Sequence, residues 1–128
     1  MAEERGTAGS FDFCGSAELD IAGPSFMGVD WSLCGAVINC VAYIAADVAK
    51  MFGGRVSAWR ANGRGPALLT KVCAGNGRTL VHVSSDYMFD GKEERFEAEL
   101  FSPSGVYGQA KVAGDLTVSA ARGTAFCE

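Results

Sequence analysis

Two short apolar runs, Ala36 to Cys40 and Thr79 to Ser84, constrain the fold of this 128-residue chain more than any other feature. Each reads as a strand buried on both faces of a parallel sheet, where little polar alternation is required. Between them, Ala42–Met51 and Arg55–Ala74 are helical in composition, and Gly53-Gly54 separates the two stretches. Pro66 either opens a new helix or kinks the second one, because proline is tolerated in a first helical turn. Ser104 is a candidate N-cap for a helix running to about Ala121, and Gly123 punctuates its end before a last short strand, Thr124–Cys127. Ser10 to Cys14 adds a weaker strand candidate. Strands that alternate with helices indicate an α/β fold around a mostly parallel sheet.

At this length the chain forms one domain at most, with a modest core. Residues 1–10 read as a disordered leader, rich in Glu, Gly, Ala and Ser, which leaves 11–128 for the domain. Eleven Lys and Arg against fifteen Asp and Glu give a net charge of −4, and no basic run stands out. Nucleic acid is therefore not an expected partner. There is no apolar leader segment and no window of membrane-spanning length, so the expected location is the cytoplasm, without a membrane partner. Five cysteines and one histidine, with no C-x-x-C pair, argue against a disulfide framework and against a metal centre. Cys40 and Cys73 are expected to be reduced core residues. His82, between two valines, is expected to be a satisfied core or edge histidine, and Trp31 and Trp59 packing residues.

Chemistry is concentrated near the C-terminus. Tyr107 and Lys111 stand four residues apart, so on a helix they share a face. A nearby ammonium favours phenolate, and a serine at the end of a neighbouring strand could share a substrate's carbonyl oxygen. Such a set would deliver a proton during carbonyl reduction. The same spacing also arises on a solvated helix face, and Ser85-Asp86 could equally be a cap pair that starts a helix.

The surroundings of these residues are more specific. Val83-Ser84-Ser85-Asp86-Tyr87-Met88-Phe89-Asp90-Gly91 and Val106-Tyr107-Gly108-Gln109-Ala110-Lys111-Val112-Ala113-Gly114-Asp115 resemble strings of the extended short-chain dehydrogenase/reductases. Within them the best match is the dTDP-4-dehydrorhamnose reductases, which write S-T-D-Y-V-F-D-G and V-Y-G-x-[ST]-K-L-A-G-E. Their V-I-N-C-A-A-Y-T-A-V-D is similar to Val37 through Asp47 here.

The resemblance implies a doubly wound, Rossmann-like sheet and NADPH- or NADH-dependent reduction of the C4 ketone of a dTDP-linked deoxysugar to dTDP-L-rhamnose. It implies Tyr107 as the proton donor, Lys111 as the residue that binds the nicotinamide ribose and lowers the tyrosine pKa, and Ser85, where the family has threonine, as the hydroxyl partner. Asp86 would contact the sugar nucleotide beside Ser85. Asp20-Ile21 would lie near the adenine, although Asp20 could be only a surface acid. Tyr43-Ile44-Ala45 would form the loop over the cofactor, with Ile44 replacing a threonine, and Val83 would line the nicotinamide site. Asn62 matches a helix asparagine with a packing or helix-bonding role.

Two parts of the family pattern have no counterpart. No strand followed by a G-x-x-G-x-x-G turn precedes residue 36, since Gly6, Gly9 and Gly15 open no apolar-periodic helix. The substrate domain is also missing. The expectation is a partial doubly wound sheet lacking its first βα unit, inactive alone and open to oligomer formation. The competing expectation is a noncatalytic remnant or a regulatory binding subunit of the same fold.

Overall fold

The computed structural model describes residues 19–23, 26, 28–89, 101–121 and the backbone of 124–127. Three strands, β1 (Ala36–Asn39), β2 (Thr79–Val83) and β3 (Thr124–Cys127), form a parallel sheet in that order. Parallel neighbours need long crossovers, and helices supply them. α1 (Phe52–Ala58), a π-helical segment (Trp59–Arg64) and α2 (Gly65–Gly75) link β1 to β2, while α3 (Val106–Ser119) precedes β3. The arrangement is α/β and Rossmann-like, with strands that run consecutively outward as in one half of a doubly wound sheet. The leader at 1–10, the Ser10–Cys14 strand, the leader glycines and Gly123 lie outside the described residues.

One face of the sheet carries the core. Leu80 packs with Leu69 and Cys73 of α2 and Val118 of α3, and Val37 borders the cluster. Pleating puts Val37 and Asn39, and likewise Leu80 and His82, on this side. The expectation of burial on both faces does not hold: Ile38, on the opposite side, is 52% exposed, and Val83 is partly exposed. Cys40 is exposed, not in the core, because it follows buried Asn39 and so points the other way. Cys73 is buried as expected, and that burial pushes its thiol up to about 11.

The helical segments also differ from expectation. Ala42–Met51 is not a helix. It runs as a loop into a short 3-10 turn, Val48–Lys50, and the Tyr43 carbonyl that a helix would use is bonded to the Asn62 side chain. Gly53-Gly54 breaks nothing and lies within α1, because a Cβ on Gly54 would overlap the Val48 carbonyl. Arg55–Ala74 is not one regular helix. Pro66 has no N–H to offer the Asn62 carbonyl, and the ladder slips so that the Gly65 N–H bonds the Arg60 carbonyl. Ser104 is not the cap of α3. Gly105 takes the extended N-cap conformation, which places Ser104 one residue outside.

Between α2 and β2 the chain turns through left-handed Gly77, with the Arg78 N–H bonded to the Cys73 carbonyl and the Gly77 N–H to the Ala74 carbonyl. This paired capping stops the helix and aims the chain into β2.

Candidate active site

β2 leaves the sheet through Ser84 and Ser85 into a 3-10 turn, Asp86–Met88. Opposite it, α3 buries Gly108, Lys111, Asp115 and Val118, a three-four-three spacing that defines one helix face. Gly108 is needed for close approach, since a Cβ there would overlap the Tyr87 carbonyl. The two elements that carry Ser85 and the Tyr107–Lys111 pair are therefore pressed together.

Lys111 is 2% exposed, and its Nζ donates to the Val83 carbonyl at 2.9 Å. This bond uses one of three ammonium hydrogens. Burial lowers its pKa from the ordinary lysine range, and the Asp115 charge opposes that shift. One turn earlier, Tyr107 meets Tyr87 edge to face at a centroid distance of 5.2 Å and packs, with Tyr43, on Ala49, Ala58 and Ala110. The helix face is thus a packed one, and the solvated alternative fails for Lys111. Ser85 does serve as a cap. Its Oγ accepts from the Tyr87 N–H at 3.2 Å and donates toward Asp86 Oδ1 at 3.4 Å, while Asp86 itself is exposed.

Beneath these residues lies a buried polar chain. Asn39 Nδ2 is 2.9 Å from His82 Nδ1, His82 Nε2 is 3.0 Å from Asp115 Oδ1, and Ser84 Oγ donates to Asp115 Oδ2 at 2.6 Å. The Asn39 carbonyl oxygen accepts from the Val41 N–H, so its amide nitrogen must be the atom that faces His82. An amide nitrogen only donates, so Nδ1 accepts from it, while His82 Nε2 and Asp115 Oδ1 lie close without hydrogen-bond geometry. His82 is a core histidine, as the sequence suggests. Although histidine, aspartate and serine meet here, the carboxylate stands between the other two, so His82 cannot act as a base toward Ser84.

The loop after β1 leaves the same edge of the sheet. Tyr43 is held through its backbone, whose N–H donates to Asn62 Oδ1 at 2.8 Å and whose carbonyl accepts from Asn62 Nδ2 at 3.1 Å. Asn62 therefore clamps a loop, which differs from the packing or helix-bonding role expected of it. Ile44 is 82% exposed, and Ala45 is exposed with its carbonyl bonded to the Ala49 N–H. Asp20 is an exposed acid whose Oδ1 accepts from the Ala22 N–H and whose Oδ2 lies 3.7 Å from Arg60, while Ile21 is buried against Gly65. These two residues meet the π-helical segment and the start of α2. Tyr107, Lys111, Val83, Ser85 and Tyr43 gather at the C-terminal edge of the strands, where open α/β sheets bind ligands. Ser84, Asn39 and Asp115 were not singled out from the sequence, where their only signal was membership of the matched strings. Among the described residues no three His, Cys, Asp or Glu side chains group to hold a metal, and no helix is long and apolar enough to cross a membrane.

Comparison with known proteins agrees with this fold. The RmlD substrate binding domain family matches residues 14–127. A dTDP-4-dehydrorhamnose reductase of Mycobacterium tuberculosis is 40% identical over 91 residues, which cover 66% of this chain and 29% of that relative. Among solved structures, a dTDP-4-dehydrorhamnose reductase of Clostridium acetobutylicum superposes with a TM-score of 0.74 at 26% identity, over 87% of this chain and 41% of that one. The Bacillus anthracis enzyme, solved in complex with NADP, gives 0.72 at 23% identity over 87% of this chain and 41% of its own, a likeness of fold. The chain thus spans well under half of these relatives, and over that span it belongs to the RmlD family of dTDP-4-dehydrorhamnose reductases.

Proposed function

We propose that this chain carries the acid–base part of an NADPH-dependent dTDP-4-dehydrorhamnose reductase site, acting in the cytoplasm on the C4 ketone of a dTDP-linked deoxysugar. The observation that carries the reading is the seating of Tyr107 and Lys111 on α3 against the end of β2, with Lys111 bonded to the Val83 carbonyl and Ser85 two residues beyond. Val83, Ile44 and Ala45 present exposed, largely apolar surface at this edge, suited to a flat nicotinamide ring. Two ammonium hydrogens of Lys111 are left for the ribose. NADPH, when bound, supplies the hydride.

Tyr107 donates its phenolic proton to the ketone oxygen as charge develops there. Lys111 favours the resulting phenolate, and the Ser85 hydroxyl shares the same oxygen. Asp86, exposed beside Ser85, contacts the sugar nucleotide. Asp20 and Ile21 serve the adenine end, and the Tyr43 loop covers the cofactor.

The test joins this chain to segments of a longer relative: an N-terminal strand, glycine turn and helix, and a C-terminal substrate domain. The joined protein should reduce the dTDP-linked ketone with NADPH, and Tyr107→Phe should slow turnover by about 10²–10⁴-fold, the usual contribution of a positioned acid. Unchanged turnover in Tyr107→Phe would remove Tyr107 from the role of proton donor.

A further inference from the structure

The buried chain of Asn39, His82, Asp115 and Ser84 does no acid–base work in the reaction above, yet it lies directly under the residues that do. Asp115 is 3% exposed; its Oδ2 accepts from Ser84 Oγ, and its Oδ1 lies 3.0 Å from His82 Nε2 without hydrogen-bond geometry. A buried carboxylate is costly unless its oxygens are satisfied, and among the described residues this one is hydrogen-bonded through Oδ2 alone. Both residues belong to β2 or its exit, whereas Asp115 belongs to α3.

Asp115 also lies one turn beyond Lys111 on the same buried face. Among the described residues the Lys111 ammonium bonds the Val83 carbonyl of β2, and the titratable neighbours one turn away along its own helix face are Asp115 and Tyr107. His82 and Ser84 reach Asp115 and not the ammonium.

We propose that Asp115 is a positioning residue for the Tyr107–Lys111–Ser85 site. Its buried carboxylate ties the exit of β2, which carries Ser85, to the helix that carries Tyr107 and Lys111, and it places a negative charge one helical turn from the Lys111 ammonium. Tyr107 and Ser85 must face one carbonyl oxygen at hydrogen-bond range, and a small misplacement costs much of the benefit of proximity. The inference rests on the reductase reading for its purpose, though not for its test.

The test uses the whole chain with lysine ε-carbons labelled with 13C and the Lys111 signal assigned by its loss in Lys111→Arg. Asp115→Asn keeps the side-chain shape and removes the charge, so Lys111 should titrate at lower pH than in the unsubstituted chain. Asp115→Glu, the residue the matched family string carries at this position, should restore the original titration. A purely packing role would leave the ammonium unmoved in a folded Asp115→Asn chain, and an identical Lys111 titration there overturns the proposal. Should Asp115→Asn fail to fold by circular dichroism, Ser84→Ala breaks the tie to the β2 exit, together with the contact of the same hydroxyl with Met88 Sδ, which Met88→Leu removes alone as the control. The ring signals of Tyr107 should then shift, and their staying in place overturns the proposal. Neither readout involves cofactor or turnover, so failure here leaves the Tyr107→Phe test of the reductase reading intact, and failure of that test leaves this one to be decided on its own.

Discussion

The exits of β1 and β2 leave the same edge of the sheet and are held in different ways. Beyond β2, the backbone is bonded to Lys111, the Ser84 side chain to Asp115, and the following turn meets α3 where Gly108 permits close approach. Beyond β1, the Asn39 side chain takes the Val41 N–H and Asn62 grips Tyr43 at two points, and the next residues, Ile44 and Ala45, are open to solvent. Proton transfer requires fixed distances, and the first exit has several independent restraints. The second exit has fewer, and its exposed residues after the clamp are the easier part of this edge to move.

The contrast is broken most severely at the clamp. Asn62→Leu leaves the Tyr43 N–H and carbonyl without their partners and places an apolar side chain against them, and the expected loss of stability is about 3 kcal/mol. Urea unfolding of the two chains measures it, and a loss below about 1 kcal/mol would show that the loop is held elsewhere.

A smaller effect separates the two cysteines. Cys40 at the β1 exit is exposed, whereas Cys73 lies under β2 with its thiol raised from 9.0 to about 11 by burial. Between those values the unfolded thiol ionises and the folded one does not, so the unfolded state holds fewer protons and stability falls as pH rises. The contribution is fully present below pH 9.0 and is lost as pH climbs through about 11. Urea midpoints taken from about pH 8 to 11 should decline by an amount worth no more than about 2 kcal/mol, and that part of the decline should vanish in Cys73→Ala. A decline of equal slope in both chains would place its origin in another group.

The smallest effect is expected at the open part of the loop. Ile44→Thr exchanges one exposed β-branched side chain for another and should change stability by less than about 0.5 kcal/mol. A larger change would mean that Ile44 is packed in solution.

Much of the β2–α3 region was legible because its signals are local. Thr79 to Val83 is apolar and β-branched, Tyr107 and Lys111 share a helix face through spacing alone, and the flanking strings carried the family resemblance. What escaped depends on partners distant in sequence. Asn39 and His82 are 43 residues apart, Ser84 and Asp115 are 31 apart, and nothing local to any of them indicates the pairing. The missed loop at 42–51 has the same cause. Its alanines favour a helix, but Asn62, nineteen residues on, takes the Tyr43 backbone groups that a helix would use. Gly53-Gly54 misled in the opposite direction, since Gly54 serves contact with the Val48 carbonyl and not a turn.

The π-helical segment makes the β1–β2 crossover sensitive to its length as well as to its composition. Upstream of Pro66, Asn62 must face the Tyr43 loop; downstream, Leu69 and Cys73 must face the sheet. A regular α-helix advances about 100° per residue, so both facings depend on the widened turn at Trp59–Arg64. Straightening that turn into regular α-helix with all its residues kept would rotate one half of the crossover relative to the other by about that angle. The core could then be kept only by turning the clamp away, or the clamp only by turning out the core. A one-codon deletion there would remove the surplus residue that the wide turn holds and leave both facings nearly in place, whereas a one-codon insertion would add to the surplus and uncouple the Tyr43 loop from the hydrophobic interior in a single step.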